Sequence, residues 1–255
     1  MITLRPSKER THIQNANQNT WMTFDPENNT DPFKNGFGAL KKLNENILAP
    51  GMELRPFPTK SNMLVLTYVR KGSVLYKGPG GVLSQNEFKM EKIGSEIKQD
   101  GFNASSSDEA QVFQFRFDLE GNEFVVGEIK KFFSLAEREG ILKLIASSDV
   151  KAASLFVKQD IQMYSGFIWK GTHIIHELGS NRKAWLHVVN GEIQMNNHLV
   201  KTGDGAGFTE EKSVSFTAKE PSSVILFDIG EKVSTLKAGE VQPVKTAGWV
   251  KQRKA

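Results

Sequence analysis

Cysteine is absent from all 255 residues, which removes disulfide frameworks, thiolate nucleophiles, cysteine metal sites and thiol redox switches together. No apolar run approaches the roughly 20 residues that cross a bilayer as a helix. Met1 to Arg10 is charged, with no hydrophobic stretch behind it, so a cytoplasmic protein without a membrane partner is expected. Histidine is scarce: of five, none falls between His12 and His173. Three imidazoles therefore cannot meet in the first half of the chain. Glu53, Glu96 and Asp100 supply carboxylates there, but their spacing does not resemble a calcium loop. One-sided charge is lacking as well. The formal net charge is only +4, and the cations are scattered apart from Lys245, Lys251, Arg253 and Lys254 near the C-terminus. That stretch reads as a solvated tail, and direct nucleic-acid binding is not expected.

What is present describes an ordinary folded protein, 38% apolar and 24% charged with 22 glycines. Short runs of five to seven alternating or apolar residues recur between polar or glycine-rich turns, as in Met63 to Val69 before Arg70-Lys71-Gly72. Further strands are expected at Val112 to Phe117, Ala153 to Val157, Gln162 to Trp169, Ala184 to Val189, Val214 to Thr217 and Val224 to Asp228. Helices have little room. The best helical candidate is 135–139, where Ser134 and Glu137 have capping-box spacing and Gly140 can close the C-terminus. Val188 to Ile193 echoes Tyr68 to Val74, each reading as strand, tight turn, strand. Two related β domains follow, with 1–134 as the first, 135–150 as a helical junction, 151–235 as the second and 236–255 as a basic tail.

Several stretches are similar to the pirin family in order and approximate spacing. They are Gly36-Phe37-Gly38-Ala39-Leu40, Leu48-Ala49-Pro50-Gly51, Leu66-Thr67-Tyr68-Val69, Leu144 to Asp149, Ala184 to Gly191 and Gly203-Asp204-Gly205-Ala206. The resemblance runs over roughly residues 2 to 230. It implies an all-β bicupin: two antiparallel β-barrel, or jelly-roll, domains, each able to hold a ligand in its mouth. The activity attributed to the family is quercetin 2,3-dioxygenation at a metal in the N-terminal barrel.

The resemblance also implies where that metal would be held. A His-x-His pair on one strand face meets a third His and a Glu. Counting from Thr67, the pair falls on Pro58 and Lys60, and the acid of the general cupin pattern falls on Leu64. Counting from Phe102-Asn103, the third His falls on Gln99 and the Glu near Gly101. None of these replaces an imidazole or carboxylate. Neither a metal nor another cofactor is expected, and metal-dependent dioxygenation is disfavoured. A polar, cationic pocket is expected instead, with Lys60 and Gln99 facing inward and Glu53 or Glu96 as partners for the ammonium. A small molecule or a protein is the expected partner, and a monomer the expected state.

Other candidates carry less. His173 and His176 form an H-x-x-H whose members point to opposite faces of a strand. His187 alternates with Trp185 and Val189 and would line the second barrel if that face turns inward. His198 lies beside the turn Asn196-Asn197. No nucleophile elbow appears. Gly78-Pro79-Gly80-Gly81 lacks the Lys-Ser/Thr of a phosphate loop and reads as a hairpin turn. Phe113, Phe115 and Phe117 share a strand face that reads as core, with Gln114 and Arg116 turned to solvent.

Overall fold

The computed structural model describes residues 1–16, 18–54, 63–77, 80–93, 101–118, 129–149, 154–157 and 159–230. Their strands form two seven-stranded and two four-stranded sheets, almost wholly antiparallel. One large sheet runs Ile129–Phe132, Glu87–Ile93, Met63–Lys71, Ala110–Asp118, Leu40–Leu48, Gln18–Met22, Thr11–Asn15. Facing it are Glu53–Leu54, Gly101–Asn103, Ser73–Tyr76 and Val82–Ser84. The other large sheet runs Ile2–Arg5, Gly205–Phe208, Arg182–Asn190, Ser222–Gly230, Ile161–Ile168, Lys143–Ser147, Leu155–Phe156, and faces His173–Glu177, Ser213–Ala218, Glu192–Met195 and His198–Lys201.

Three apolar clusters show how these layers stack. One, with Leu48, Val69, Val74 and Val112, lies inside the first barrel; another, with Ile193, Phe216, Leu186 and Leu226, lies inside the second. The third joins the two large sheets back to back, with Phe113, Phe115 and Phe117 on one side and Trp185, Ile225 and Phe227 on the other. The fold is thus an all-β bicupin whose large sheets are covered on both faces. Phe113, Phe115 and Phe117 are core as expected, but Gln114 and Arg116 are buried rather than solvated. Alternation separates the two faces of a strand; here the second face looks into a barrel, not into water.

The echoing segments are corners rather than hairpins. Gly72 (φ +76°) carries the chain from Met63–Lys71 in a large sheet to Ser73–Tyr76 in the small one, and Gly191 (φ +95°) does the same between Arg182–Asn190 and Glu192–Met195. Positive φ favours glycine at both. The glycine-rich stretch 78–81 does connect a hairpin, with Leu75 paired to Val82, although Gly78 and Pro79 lie outside the described residues.

Two expectations about the junction change. The helix shrinks to one 3-10 turn, Ala136–Arg138, although its capping box forms: Ser134 Oγ accepts from the Glu137 amide at 3.2 Å, and Glu137 Oε2 accepts from the Ser134 amide at 2.8 Å. The Ser134 amide, together with the Ser134 hydroxyl that donates to the same oxygen at 2.9 Å, holds the Glu137 carboxyl below its usual range. The stretch 135–150 also contains a strand of the second large sheet, Lys143–Ser147. At the other end, Ile2–Arg5 leaves the first unit altogether and pairs with Gly205–Phe208, Ile2 opposite Phe208. The partner lies too far along the chain for local patterning to reveal it.

The barrels are further clipped by buried side chains. Trp185 sits among Phe24, Phe33 and Phe37, with ring centroids 4.8, 5.4 and 5.3 Å away; such pairs add about 0.5–1.5 kcal/mol each beyond their burial. Arg5 pairs with Asp31 at 2.6 Å, and Arg10, paired with Glu45 at 2.9 Å, donates across to the Gly203 carbonyl at 3.4 Å. Arg138 donates to Tyr68 Oη at 3.2 Å and Asn86 Oδ1 at 2.5 Å on one barrel, and to Ser165 Oγ at 3.1 Å on the other.

Candidate functional site inside the first barrel

The inner face of the first large sheet is mainly apolar near its Gly72 end and mainly polar beyond it. Register places Lys89 opposite Thr67, Thr67 opposite Gln114, and Gln114 opposite Asn44, one polar row across four strands. The next row carries Glu91, Val65, Arg116 and Lys42. All point away from the inter-barrel core, because their chain neighbours Phe88, Met90, Leu64, Leu66, Phe113, Phe115 and Leu43 belong to it.

This floor is deeply buried. Asn44, Thr67 and Gln114 are each 0% exposed, and Lys89 and Arg116 each 1%. Lys89 Nζ lies 3.2 Å from Glu91 Oε2 and 3.4 Å from the centroid of Tyr76, a cation–π contact strengthened by the dry surroundings. Burial brings the Arg116 guanidinium down to about 10. Lys42 is lowered by burial and then by Arg116, against the opposing pull of Glu27 and Asp25. Among the described residues, neither amide atom of Asn44 nor the hydroxyl of Thr67 has a hydrogen-bond partner. Groups left so cost about 1–3 kcal/mol each.

The expected site residues scatter around this floor. Pro58, Lys60, Glu96 and Gln99 lie outside the described residues. Leu64 faces the inter-barrel core, on the opposite side of its strand from the barrel interior. Glu53 is exposed and alternates with inward Leu54, so it cannot face a pocket from within. Gly101 does face inward, but a Cβ there would stand 2.9 Å from Tyr76 Cε1 and 3.0 Å from Val74 Cγ1, leaving no room for a longer acid while Tyr76 stays. Asn103 braces the surrounding loops, its amide donating to the carbonyls of Leu48, Ala49 and Asp108 at 2.9, 3.2 and 2.7 Å. Reading Gln114 and Arg116 as solvent-facing hid the floor; cations and amides alternating with aromatics on Glu87–Ile93 and Ala110–Asp118 were the available signal.

His187 is fully buried but lines no barrel. Leu186 and Val188 take the inward positions, and His187 turns with Trp185 toward the inter-barrel core, 5.9 Å from Phe113 by ring centroids. Among the described residues neither ring nitrogen has a partner, and burial, then the Arg10 charge, hold its pKa well below the usual value. His173 and His176 do point to opposite faces. His173 contacts Thr217 at 2.9 Å, and His176 contacts Asp228 at 2.9 Å. Asp228 also accepts from Arg182, which reaches Asp160 at 2.7 Å. Beside Arg182 lies a cleft of about 590 Å³ that includes Lys183, Glu210 and Lys212, but Arg182 is already committed to two carboxylates. Among the described residues, no three His, Asp or Glu side chains gather in a way that could hold a metal ion.

A family model described as the quercetinase C-terminal cupin domain matches residues 144–229. The chain is 30% identical over 232 residues to the quercetin 2,3-dioxygenase of Escherichia coli (strain K12), covering 90% of this chain and 99% of that one. It is 26% identical over 203 residues to a pirin-like protein of Caulobacter vibrioides, covering 78% and 86%. The crystal structure of the bacterial pirin YhhW from Escherichia coli in complex with nickel(II) superposes with a TM-score of 0.80 at 29% identity, covering 91% of this chain and all of that one.

Proposed function

Since the chain belongs to the pirin family, we propose that it is a small-ligand-binding or regulatory bicupin whose first barrel works without an imidazole-held metal. One observation carries this reading: Asn44 and Thr67 are buried without partners on a floor that also holds Lys89 and Arg116. Unsatisfied polar groups inside a barrel are costly to folding, so their place here is best accounted for by a ligand that completes them. The residues do not fit the family's metal. No histidine stands between His12 and His173, Leu64 faces the wrong way, Gly101 has no side chain, and the floor presents cations that would repel a dication.

The second reading is an oxidoreductase like quercetin 2,3-dioxygenase, or another enzyme using a non-standard site; it is favoured by the names of the relatives. Metal analysis of untagged protein, combined with a flavonol consumption assay, separates the two. The expected result is substoichiometric metal and no flavonol turnover. Near-unit nickel, iron, copper or zinc together with turnover would establish the second reading in place of the first.

A further inference from the structure

The second barrel ends in an open strand edge. His173–Glu177 lies at one end of its four-stranded sheet and pairs only with Ser213–Ala218 among the described residues. The ends of that ladder fix its phase. The Ala218 amide donates to the Thr172 carbonyl, and the Leu178 amide to the Lys212 carbonyl. Bonded pairs recur at every second residue of an antiparallel ladder, so Ile174 and His176 aim their backbone groups at Ser213–Ala218. His173, Ile175 and Glu177 turn theirs the other way, along the open edge.

The devices that usually blunt such an edge are missing. Edge strands are commonly protected by lysine, proline or a bulge. From His173 to Glu177 there is neither Lys nor Pro, and the register runs without a shift. In the middle stands Ile175, 58% exposed, with exposed His173 and Glu177 on either side of it on the same strand face. The other two residues face inward, Ile174 against the core of the second barrel and His176 toward Asp228.

The edge is also complementary to itself. When two copies meet antiparallel about a two-fold axis at Ile175, that residue faces Ile175 of the partner subunit, and His173 faces Glu177 of the partner subunit at both ends. These are the residues with outward backbone groups, so each of the three pairs exchanges two hydrogen bonds, about six in all. The side chains agree with the backbone. Isoleucine against isoleucine removes exposed apolar surface, and an imidazole against a carboxylate avoids opposing like charges. The His173 ring rests between the hydroxyls of Thr217 at 2.9 Å and Ser215 at 3.3 Å, and a carboxylate is a stronger acceptor than either.

We infer that the chain forms a two-fold dimer by antiparallel pairing of His173–Glu177 with the same strand of a second copy, which makes one eight-stranded sheet from two of four. Such an isologous contact closes at two copies. A five-residue ladder buries less than the roughly 1,200 Å² of stable complexes, so the dimer is transient, with a dissociation constant of roughly 10–100 μM. The monomer expected from the sequence is then the dilute state.

The test is sedimentation velocity of the untagged full chain from about 2 to 300 μM, a range that brackets that constant. The expected result is a shift from monomer to dimer with no larger species. Ile175→Lys, which sets two ammonium groups on the axis, should leave a monomer throughout. His173→Glu, which opposes carboxylates at both ends, should weaken the dimer about tenfold or more, and adding Glu177→Lys to it should restore the dimer. All three positions are exposed, and unchanged melting at low concentration checks that each variant folds. If Ile175→Lys does not fold, the His173→Glu variant and its rescue decide. Hydrogen exchange at the His173, Ile175 and Glu177 amides should slow as concentration rises. A monomer at every concentration, a dimer indifferent to these substitutions, a failed rescue, or amides already protected in the dilute chain would each overturn the inference, the last by showing that another segment of the same chain covers the edge.

Discussion

The central strands of the second barrel turn Ala184, Leu186, Val188, Val224 and Leu226 inward, whereas the strands in the matching places of the first turn in Thr67, Gln114 and Arg116. In the strands beside them, Ala206 and Phe208 of the second barrel stand where the first has Lys89 and Glu91. The same pairing of a seven-stranded with a four-stranded sheet thus encloses a mainly apolar core in one case and a floor of several charged and amide side chains in the other. In the apolar one, the position matching Arg116 is Asp228, held by Arg182 and His176. The second interior is complete as it stands. The first keeps ions and amides out of water without satisfying all of them, which lowers stability and leaves binding capacity.

The sharpest way to break this contrast is to exchange the two kinds of residue. Leu186→Asn, in the second barrel, removes a fully buried side chain and leaves an amide without partners. A loss of about 4 kcal/mol or more is expected in urea unfolding, combining a large-to-small core change with an unsatisfied polar group. The reciprocal Asn44→Leu should be neutral or stabilising by about 1 kcal/mol, because it deletes an unsatisfied amide. Equal losses at both positions would show that Asn44 is part of a satisfied core and that the two interiors are alike.

Intermediate effects come from the contact that holds the barrels together. Arg138→Met leaves Tyr68, Asn86 and Ser165 without their common donor and is expected to cost roughly 2–3 kcal/mol. If the barrels are clipped mainly there, calorimetry should resolve two transitions in this variant where the parent shows one.

The smallest effect is a pH dependence that belongs to the boundary between the barrels. His187 is held neutral by burial, with the Arg10 charge adding to the effect. Because its folded pKa is depressed, its contribution is complete above the unfolded value near 6.5 and declines as pH falls below it. The decline is at most about 1.4 kcal/mol per pH unit while only the unfolded ring takes up the proton. His187→Phe should flatten the fall in melting temperature between neutral pH and pH 5; an unchanged slope would assign the acid sensitivity elsewhere.

Much of the fold could be read from the chain because strand alternation is local. Met63–Lys71, Ala110–Asp118 and Arg182–Asn190 stand where five to seven apolar or alternating residues pointed to them, and the Ser134–Glu137 capping box formed even though its helix shortened to one turn. The site was less legible. Periodicity shows that Gln114 and Phe115 face opposite ways but not what lies beyond each face, so a polar face sealed inside a barrel looks the same as a wet one. His187 shows the same limit: it would line the second barrel only if the face it shares with Trp185 and Val189 turned inward, and that face is the one between the barrels. The positions counted from the family pattern met a different difficulty: Leu64 fell on the wrong side of its strand, where a shift of one residue reverses every side chain.

The pairing of Ile2–Arg5 with Gly205–Phe208 also sets a timetable for biosynthesis. Met1 and Thr209, which close that ladder, are 208 positions apart. At about 5–20 residues per second, the interval between making the strand and making its partner is roughly 10–40 s. Throughout it the first barrel can collapse on its own strands, while Ile2 to Arg5 wait as an unpaired edge. Arg5 meanwhile has Asp31 within reach, so that salt bridge can tether the waiting strand to the first barrel until the second arrives to take it up.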